Sequence, residues 1–322
     1  RKKRQPFLLY GKIKTEHATD REKKMTSNSS AIKNIVTVIW LLPMLILFAS
    51  SMGIAQNLDL ATGKDDQPIE ITADNGIEWQ RDNQVMIATG NAKATRGTSN
   101  VEADTLRAYY QNNANGGSDL SRLDAIGHVK ISSPTQTVTG QSGVYDLLQA
   151  ILVVTGKKVT LVSGKDRITA TQQMEYYEKK QMAIARQNAT ANHDGKVLRA
   201  DTLVALFSKD KFGKSRVSRV QAFENVRVVT PTESIWARKG IYDVSSGIVT
   251  LNGDVRITRD GNQLNGDYAV INLNTGISKL LTDPGLQSPK GKKNDLNLRQ
   301  KRKKKRVRGY LVPKRKPSRE SK

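Results

Sequence analysis

Asn91-Ala92-Lys93-Ala94, followed by Ala103-Asp104-Thr105-Leu106, occurs twice in this chain. Ninety-seven positions later stand Asn188-Ala189-Thr190-Ala191 and Ala200-Asp201-Thr202-Leu203. The register holds on both sides. Ile71-Thr72-Ala73 lies over Ile168-Thr169-Ala170, Gln84, Ile87 and Ala88 over Gln181, Ile184 and Ala185, and Tyr145-Asp146 over Tyr242-Asp243. A repeat at fixed spacing is the mark of a tandem duplication, and it predicts an additive architecture of one module set against the next.

Each copy contains a shorter repeat, in which a Gly or Asn introduces alternating apolar residues near Gly90, Gly127, Gly156, Asn188, Asn225 and Gly253. Alternation with period two puts successive side chains on opposite faces, so each piece reads as a strand with one buried face. The punctuation is of the hairpin kind, as in Arg96-Gly97, His193-Asp194-Gly195 and Asp260-Gly261-Asn262. It favours antiparallel neighbours over crossover helices. The expected fold is therefore all-β, with end strands near Ile69-Glu70-Ile71 and Ala269-Val270-Ile271 offering unpaired backbone to strand addition.

Composition narrows the chemistry. The 322 residues contain no cysteine, which removes disulfides, thiolate metal sites and a cysteine nucleophile together. Aromatics are only 5%, so the core must be aliphatic. The net charge of +23 sits at the ends: residues 65–284 hold 26 basic against 24 acidic side chains, whereas residues 285–322 hold 16 against two. Residues 1–24, with nine basic against three acidic, read as translated sequence upstream of the true start.

Met25 opens a signal peptide, residues 25–55, with an apolar run from Ile35 to Phe48 and a cleavage site expected near Ala55. The rival reading is an uncleaved membrane anchor over the same stretch. Residues 56–66 then read as a linker, 67–165 as the first β repeat module and 166–284 as the second. Residues 285–322, with Lys301-Arg302-Lys303-Lys304-Lys305-Arg306, read as a disordered basic tail. Its bland reading is a solvated extension, and its functional reading is attraction to phosphates.

The sequence points away from an enzyme. Of three histidines no two share metal-ligand spacing, and no phosphate loop or Gly-x-Ser-x-Gly elbow is present. No cofactor or metal is expected. His128 becomes Asn225 in the second copy, which suits a surface polar position. Asp104 and Asp146 recur as Asp201 and Asp243, as carboxylates that belong to the fold do. What remains is the inward face, for which Ile69, Ile71, Val85, Ile87, Val101, Ala103, Val129, Ile131, Val138, Tyr145, Leu147 and Ile151 are taken in the first copy. Such a face builds either a sealed sandwich core or an open apolar groove.

Gln67-Pro68-Ile69-Glu70-Ile71-Thr72-Ala73-Asp74, Val85-Met86-Ile87-Ala88-Thr89-Gly90-Asn91-Ala92, Val101-Glu102-Ala103-Asp104 and Gly140-Gln141-Ser142-Gly143-Val144-Tyr145-Asp146-Leu147 resemble the LptA/OstA-like family of periplasmic lipopolysaccharide-transport proteins. The resemblance covers about residues 67–180. It implies an OstA-like β-jellyroll of two antiparallel sheets that shields the lipid A acyl chains of lipopolysaccharide in the periplasm, driven by an ATPase at the inner membrane. The implied partners are LptC-like and LptD-like transport proteins and further copies joined head to tail, with no nucleic acid expected. By motif position Ile69, Ile71, Tyr145 and Leu147 would line the lipid path. Ile87, Ile131 and Val138 join them from the inward pattern, and Ile168, Ile184, Ile235, Tyr242 and Val244 from the second copy. The alternatives are an LptC-like anchored receiver and a non-lipid β-array that binds anionic partners through its tail.

Overall fold

The computed structural model describes residues 69–112, 117–282 and 306–311. The leader, signal-peptide and linker readings, and most of the basic tail, lie outside these residues. The first copy opens with β1 (Glu70–Thr72) and β2 (Ile77–Gln80), which flank the long β3 (Val85–Arg96). There follow β4 (Ser99–Asn112), β5 (Ser118–Ser132), β6 (Thr137–Asp146), and the short β7 (Ile151–Thr155) and β8 (Val159–Ser163). The second copy runs β9 (Asp166–Ala170), β10 (Gln173–Tyr177), β11 (Met182–His193), β12 (Lys196–Lys209), β13 (Ser215–Val229), β14 (Glu233–Asp243), β15 (Ile248–Arg259), β16 (Asn262–Asn272) and β17 (Ile277–Leu281). A last strand, β18 (Arg308–Tyr310), comes from the tail. All pairings are antiparallel and join into one network.

The repeat is exact at the level of strands: β11, β12 and β13 begin and end 97 residues after β3, β4 and β5. Every long strand carries a register shift near its middle, and there the ladder changes layer. The first half of β3 pairs with β2 and its second half with β1. Likewise β6 gives its first half to β8 and its second half to β7. The sheet is thereby folded along a seam of bulges into two antiparallel layers around an aliphatic interior, as the sequence predicts. Layer A contains β1, β8, β9 and β18, and layer B contains β2, β7, β10 and β17.

The seam has a chemistry of its own. Two consecutive residues with positive φ make the corner in alternate strands: Gly90-Asn91, Gly127-His128, Gln187-Asn188, Glu224-Asn225 and Gly253-Asp254. Such backbone belongs to glycine and, less readily, to Asn and Asp. Polar side chains close the corner from outside. His128 Nδ1 lies 2.9 Å from Asp104 Oδ2, and in the second copy Asn225 Nδ2 donates to Asp201 Oδ2 at 2.8 Å. Packing also selects glycine, because a Cβ on Gly127 would stand 2.0 Å from Asp104 Oδ2. Asp146 and Asp243 close turns, accepting from the backbone N–H groups of Gln149 and Ser246. Glu224 occupies a first corner position, at φ 57, where three of the other corners have glycine. Glu224→Gly is accordingly expected to stabilise the chain by about 0.5–1 kcal/mol, measured as a raised urea midpoint at unchanged slope.

Both layers run unbroken through the boundary between the copies, by β6–β8–β9–β11 in layer A and β6–β7–β10–β11 in layer B. The counterpart of β7 and β8 at the far end is the single strand β15, which bends through Gly253-Asp254. In the first copy Gly156-Lys157-Lys158 breaks the strand in two.

Two expectations are corrected at the C-terminal end. Ala269-Val270-Ile271 is not an edge, because β17 pairs with it through Leu280, Lys279 and Ser278. The tail is not wholly unstructured: β18 pairs with Gln263, Leu264 and Asn265, the half of β16 that β17 leaves open. An unpaired row of backbone groups in layer A, met by the alternating Val307-Arg308-Gly309-Tyr310-Leu311, accounts for this return.

Candidate functional site

Among the described residues two cavities interrupt the interior. One of about 360 Å³ opens at the N-terminal end, between Ile69, Ile71, Met86, Leu120, Tyr145 and Leu147, with Trp79 and Tyr110 beside them. Trp79 Nε1 donates to Tyr110 Oη at 2.6 Å, and the two rings meet edge to face. The other, of about 250 Å³, lies where the copies meet. Val138, Leu152, Val154 and Leu161 come to it from the first copy, and Ile168, Met174, Leu203, Phe207, Tyr242 and Leu251 from the second. Met174 packs against the cores of both copies. Between the cavities the interior is solid, with Leu106, Val129 and Val159 all under 2% exposed. The interior is therefore neither sealed throughout nor one open groove.

Small residues make the cavity at the junction. Ala183, Ala185, Ala205 and Gly240 occupy inward positions where Val or Leu would fill the space. Around them stand larger groups: Tyr176 and Phe207 meet at 79° with centroids 6.3 Å apart. Burial, with the charge of Glu178 beside it, pushes the Tyr176 hydroxyl up to about 12. Tyr145 donates to Glu178 Oε2 at 3.2 Å, both residues being buried. Burial likewise pushes Tyr242 up, with Asp243 adding to it. Tyr176 and Tyr242 therefore stay neutral and present largely apolar faces to the interior.

The structure brings most of the sequence-chosen residues to this interior. Ile69, Ile71, Tyr145 and Leu147 gather at the N-terminal cavity, and Val138, Ile168 and Tyr242 at the junction. Ile131 and Ile235, each 2% exposed, belong to the packed core rather than to a cavity wall. Val244 follows β14 as Leu147 follows β6, donating its N–H to the Ser218 carbonyl as Leu147 does to Ser121, and it borders neither cavity.

Ile87 and Ile184 are on the wrong face. Ile87 pairs in register with Glu78 and Arg107, both exposed, while Met86 and Ala88 face the core. Ile184 pairs with Glu175. Burial works to raise Glu175, and hydrogen bonds from Arg186, Gln173 and Tyr177 outweigh it, holding its carboxyl below the usual range on that outer face. Ile184 nonetheless borders the junction cavity, between Ala183 and Ala185. Val85 and Ile151 share the outward parity of Ile87, although Val85 is itself buried, at 5% exposed. Bulky β-branched residues read most readily as inward, which passes over Met86, Met174 and, Ala103 apart, the inward alanines. The signal was present, since the inward positions of β4 change from Val101 and Ala103 to Leu106 and Ala108 across Asp104.

Along the hairpin ends of layer A the interior acquires a polar border. Asp166 and His193, 4% and 3% exposed, contact each other through Oδ1 and Nδ1, and Lys196 beside them is 2% exposed. Burial pushes Asp166 up, and the bond to His193 pulls it partly back. Two hairpins further on, burial pushes Glu233 up, against the pull of Arg259 opposite it in register. A carboxyl raised in the folded state favours folding below its unfolded value, and that contribution is lost as pH rises through the folded value. Glu233→Gln is thus expected to raise Tm at pH 7 and to leave it unchanged below about pH 4, in a thermal series across pH. Among the described residues no group of three or more His, Asp or Glu is placed to hold a metal.

The chain is all-β, with apolar cavities in its interior. The family model described as LptA/(LptD N-terminal domain) LPS transport protein matches it twice, over residues 70–182 and 171–277, and the chain belongs to that family of non-enzymatic transport proteins. It is 36% identical over 107 residues to an uncharacterised protein of Rhizobium meliloti (strain 1021), in a match that takes in 31% of this chain. That match spans 56% of the relative's length. Among solved structures it is similar to LptH of Pseudomonas aeruginosa, the LptA-homologous periplasmic component of the lipopolysaccharide transport device. The identity is 13% and the TM-score 0.19, over 77% of this chain and 96% of that one.

Proposed function

We propose that this chain is a periplasmic bridge protein that binds lipopolysaccharide, holds its lipid A acyl chains between the two layers, and passes it from the inner toward the outer membrane. The observation that supports this most is the cavity at the junction, walled by aliphatic side chains of both copies. One chain would then supply two modules, residues 67–165 and 166–284, with a shared interior. Each methylene moved from water into such a wall gains about 0.8 kcal/mol, which outlines a carrier that needs no chemistry of its own. Transfer between like interiors is nearly isoenergetic, so direction is imposed from outside the chain.

The ends suit relay. β1 and β2 leave edges at the N-terminal end and β17 at the other, open to strand addition by LptC-like and LptD-like partners or by a second copy head to tail. The test places a photo-crosslinking amino acid at Ile71, Tyr145 or Tyr242, with the exposed Glu70 as control, in cells making lipopolysaccharide. Adducts at the three inward sites and none at Glu70 are expected. A folded, exported protein with no inward adduct would refute lipid carriage.

A further inference from the structure

Four buried side-chain atoms among the described residues have no hydrogen-bond partner: Ser133 Oγ, Thr135 Oγ1, Lys196 Nζ and Arg259 Nε. They are not scattered. Ser133 and Thr135 lie in the turn from β5 to β6, Lys196 opens β12 and Arg259 closes β15, so all four stand at hairpin ends of layer A. The cavity at the junction reaches the same border, where Gln136, Ser163 and Asp166 line it. His193 pairs in register with both Asp166 and Lys196, which ties the buried ammonium to that mouth.

An unpaired buried polar group costs about 1–3 kcal/mol, and a buried charge costs more. A fold does not collect four of them on one border by packing alone. Nor does the duplication require them, because the first-copy counterpart of Lys196 is the uncharged Ser99. Three strand spacings separate Lys196 from Arg259, roughly 14 Å along the border. Two cations and two hydroxyls that lack partners, beside an aliphatic cavity, are complementary to an amphiphile with an anionic, oxygen-rich head.

We propose that the hairpin border of layer A, centred on Lys196 and Arg259, binds the phosphate groups of an amphiphile whose acyl chains occupy the junction cavity. This rests on the lipid-carrier reading above and adds which face the headgroup takes and by what chemistry. The amphiphile enters from the hairpin side, away from the seam of corners. Phosphate supplies the hydrogen-bond acceptors that Lys196 Nζ and Arg259 Nε lack.

The full chain, and its Lys196→Met/Arg259→Met variant, are titrated with lipid A and with enzymatically dephosphorylated lipid A. Wild type is expected to prefer the phosphorylated lipid about tenfold or more, as charge-assisted hydrogen bonds imply. The variant is expected to lose that preference, to keep its affinity for the dephosphorylated lipid, and to stay folded, the removal of the unpaired Lys196 ammonium offsetting the loss of Arg259 from beside Glu233. A preference equal in both proteins overturns the border assignment while leaving acyl carriage in place. Wild type that binds neither lipid overturns both. Excess inorganic phosphate should not displace the lipid; displacement of the phosphorylated form down to the level of the dephosphorylated one would make this a free-phosphate site and overturn the proposal.

Discussion

Leu106→Ala is expected to destabilise the chain by about 3–5 kcal/mol, seen as a lowered urea midpoint. Leu106 is 1% exposed and lies in the packed stretch between the two cavities, paired in register with Ala88 and Ala125. Both neighbours are alanine, so no side chain at hand is long enough to collapse into the space left. The loss should therefore fall toward the upper end of the range for leucine truncation, where a cavity persists. Because both layers continue by hydrogen bonds from β6 into β11, the second copy should unfold with the first. A single shifted transition is the expected trace. Two transitions, only one of them shifted, would show that the copies fold independently.

The second large effect is on cargo and leaves stability almost alone. Ala205 faces the junction cavity between Ala183 and Val220 in register, and Ala205→Trp places an indole in space that is already empty. Overpacking is costly where a core is full, but here the void of about 250 Å³ receives the ring. Thermal stability should stay within about 1 kcal/mol of wild type, while lipid labelling at Tyr242 drops tenfold or more. Labelling at Ile71 should persist, because the N-terminal cavity is untouched. A variant that still labels fully at Tyr242 would mean that acyl chains do not use the junction.

Much of this architecture is written in the sequence. The 97-residue repeat, the two-residue turns such as Asp194-Gly195 and the glycines at Gly90, Gly127 and Gly253 each name a local structure with a physical cause. What was harder to read is parity through the seam. In β3 two residues form the corner and the even positions face inward on both sides; in β4 a single residue, Asp104, forms it and the inward positions change from odd to even. Alternation read straight through such a strand puts half of it on the wrong face. In β3 and β11 parity is kept, and there side-chain size misleads instead, favouring Ile87 and Ile184 over their smaller or unbranched neighbours. A cavity needs small inward residues, so Ala183, Ala185 and Ala205 carry the site although none looks like a binding residue.

Long-range placement was out of reach for a different reason. That Met174 meets both cores, and that Arg308–Tyr310 returns to cover β16, depend on which strand ends are left unpaired once the layers have formed. The buried border is a third such case. Asp166, the pair His193 and Lys196, Glu233 and Arg259 lie on four separate hairpins, and in one dimension they look like ordinary polar turn residues. Only the formation of layer A puts them in one row, with Asp166 at the mouth of a cavity.

The measurement that bears most directly on the account is photo-crosslinking from Met174 in the full chain, in cells making lipopolysaccharide, with and without Ala205→Trp. Met174 touches both cores at the junction, so a shared acyl path predicts an adduct there as strong as at Ile71, and its loss in the Ala205→Trp variant. Strong labelling at Ile71 with none at Met174, in a folded and exported protein, would contradict a path through the junction and confine the lipid to the N-terminal cavity.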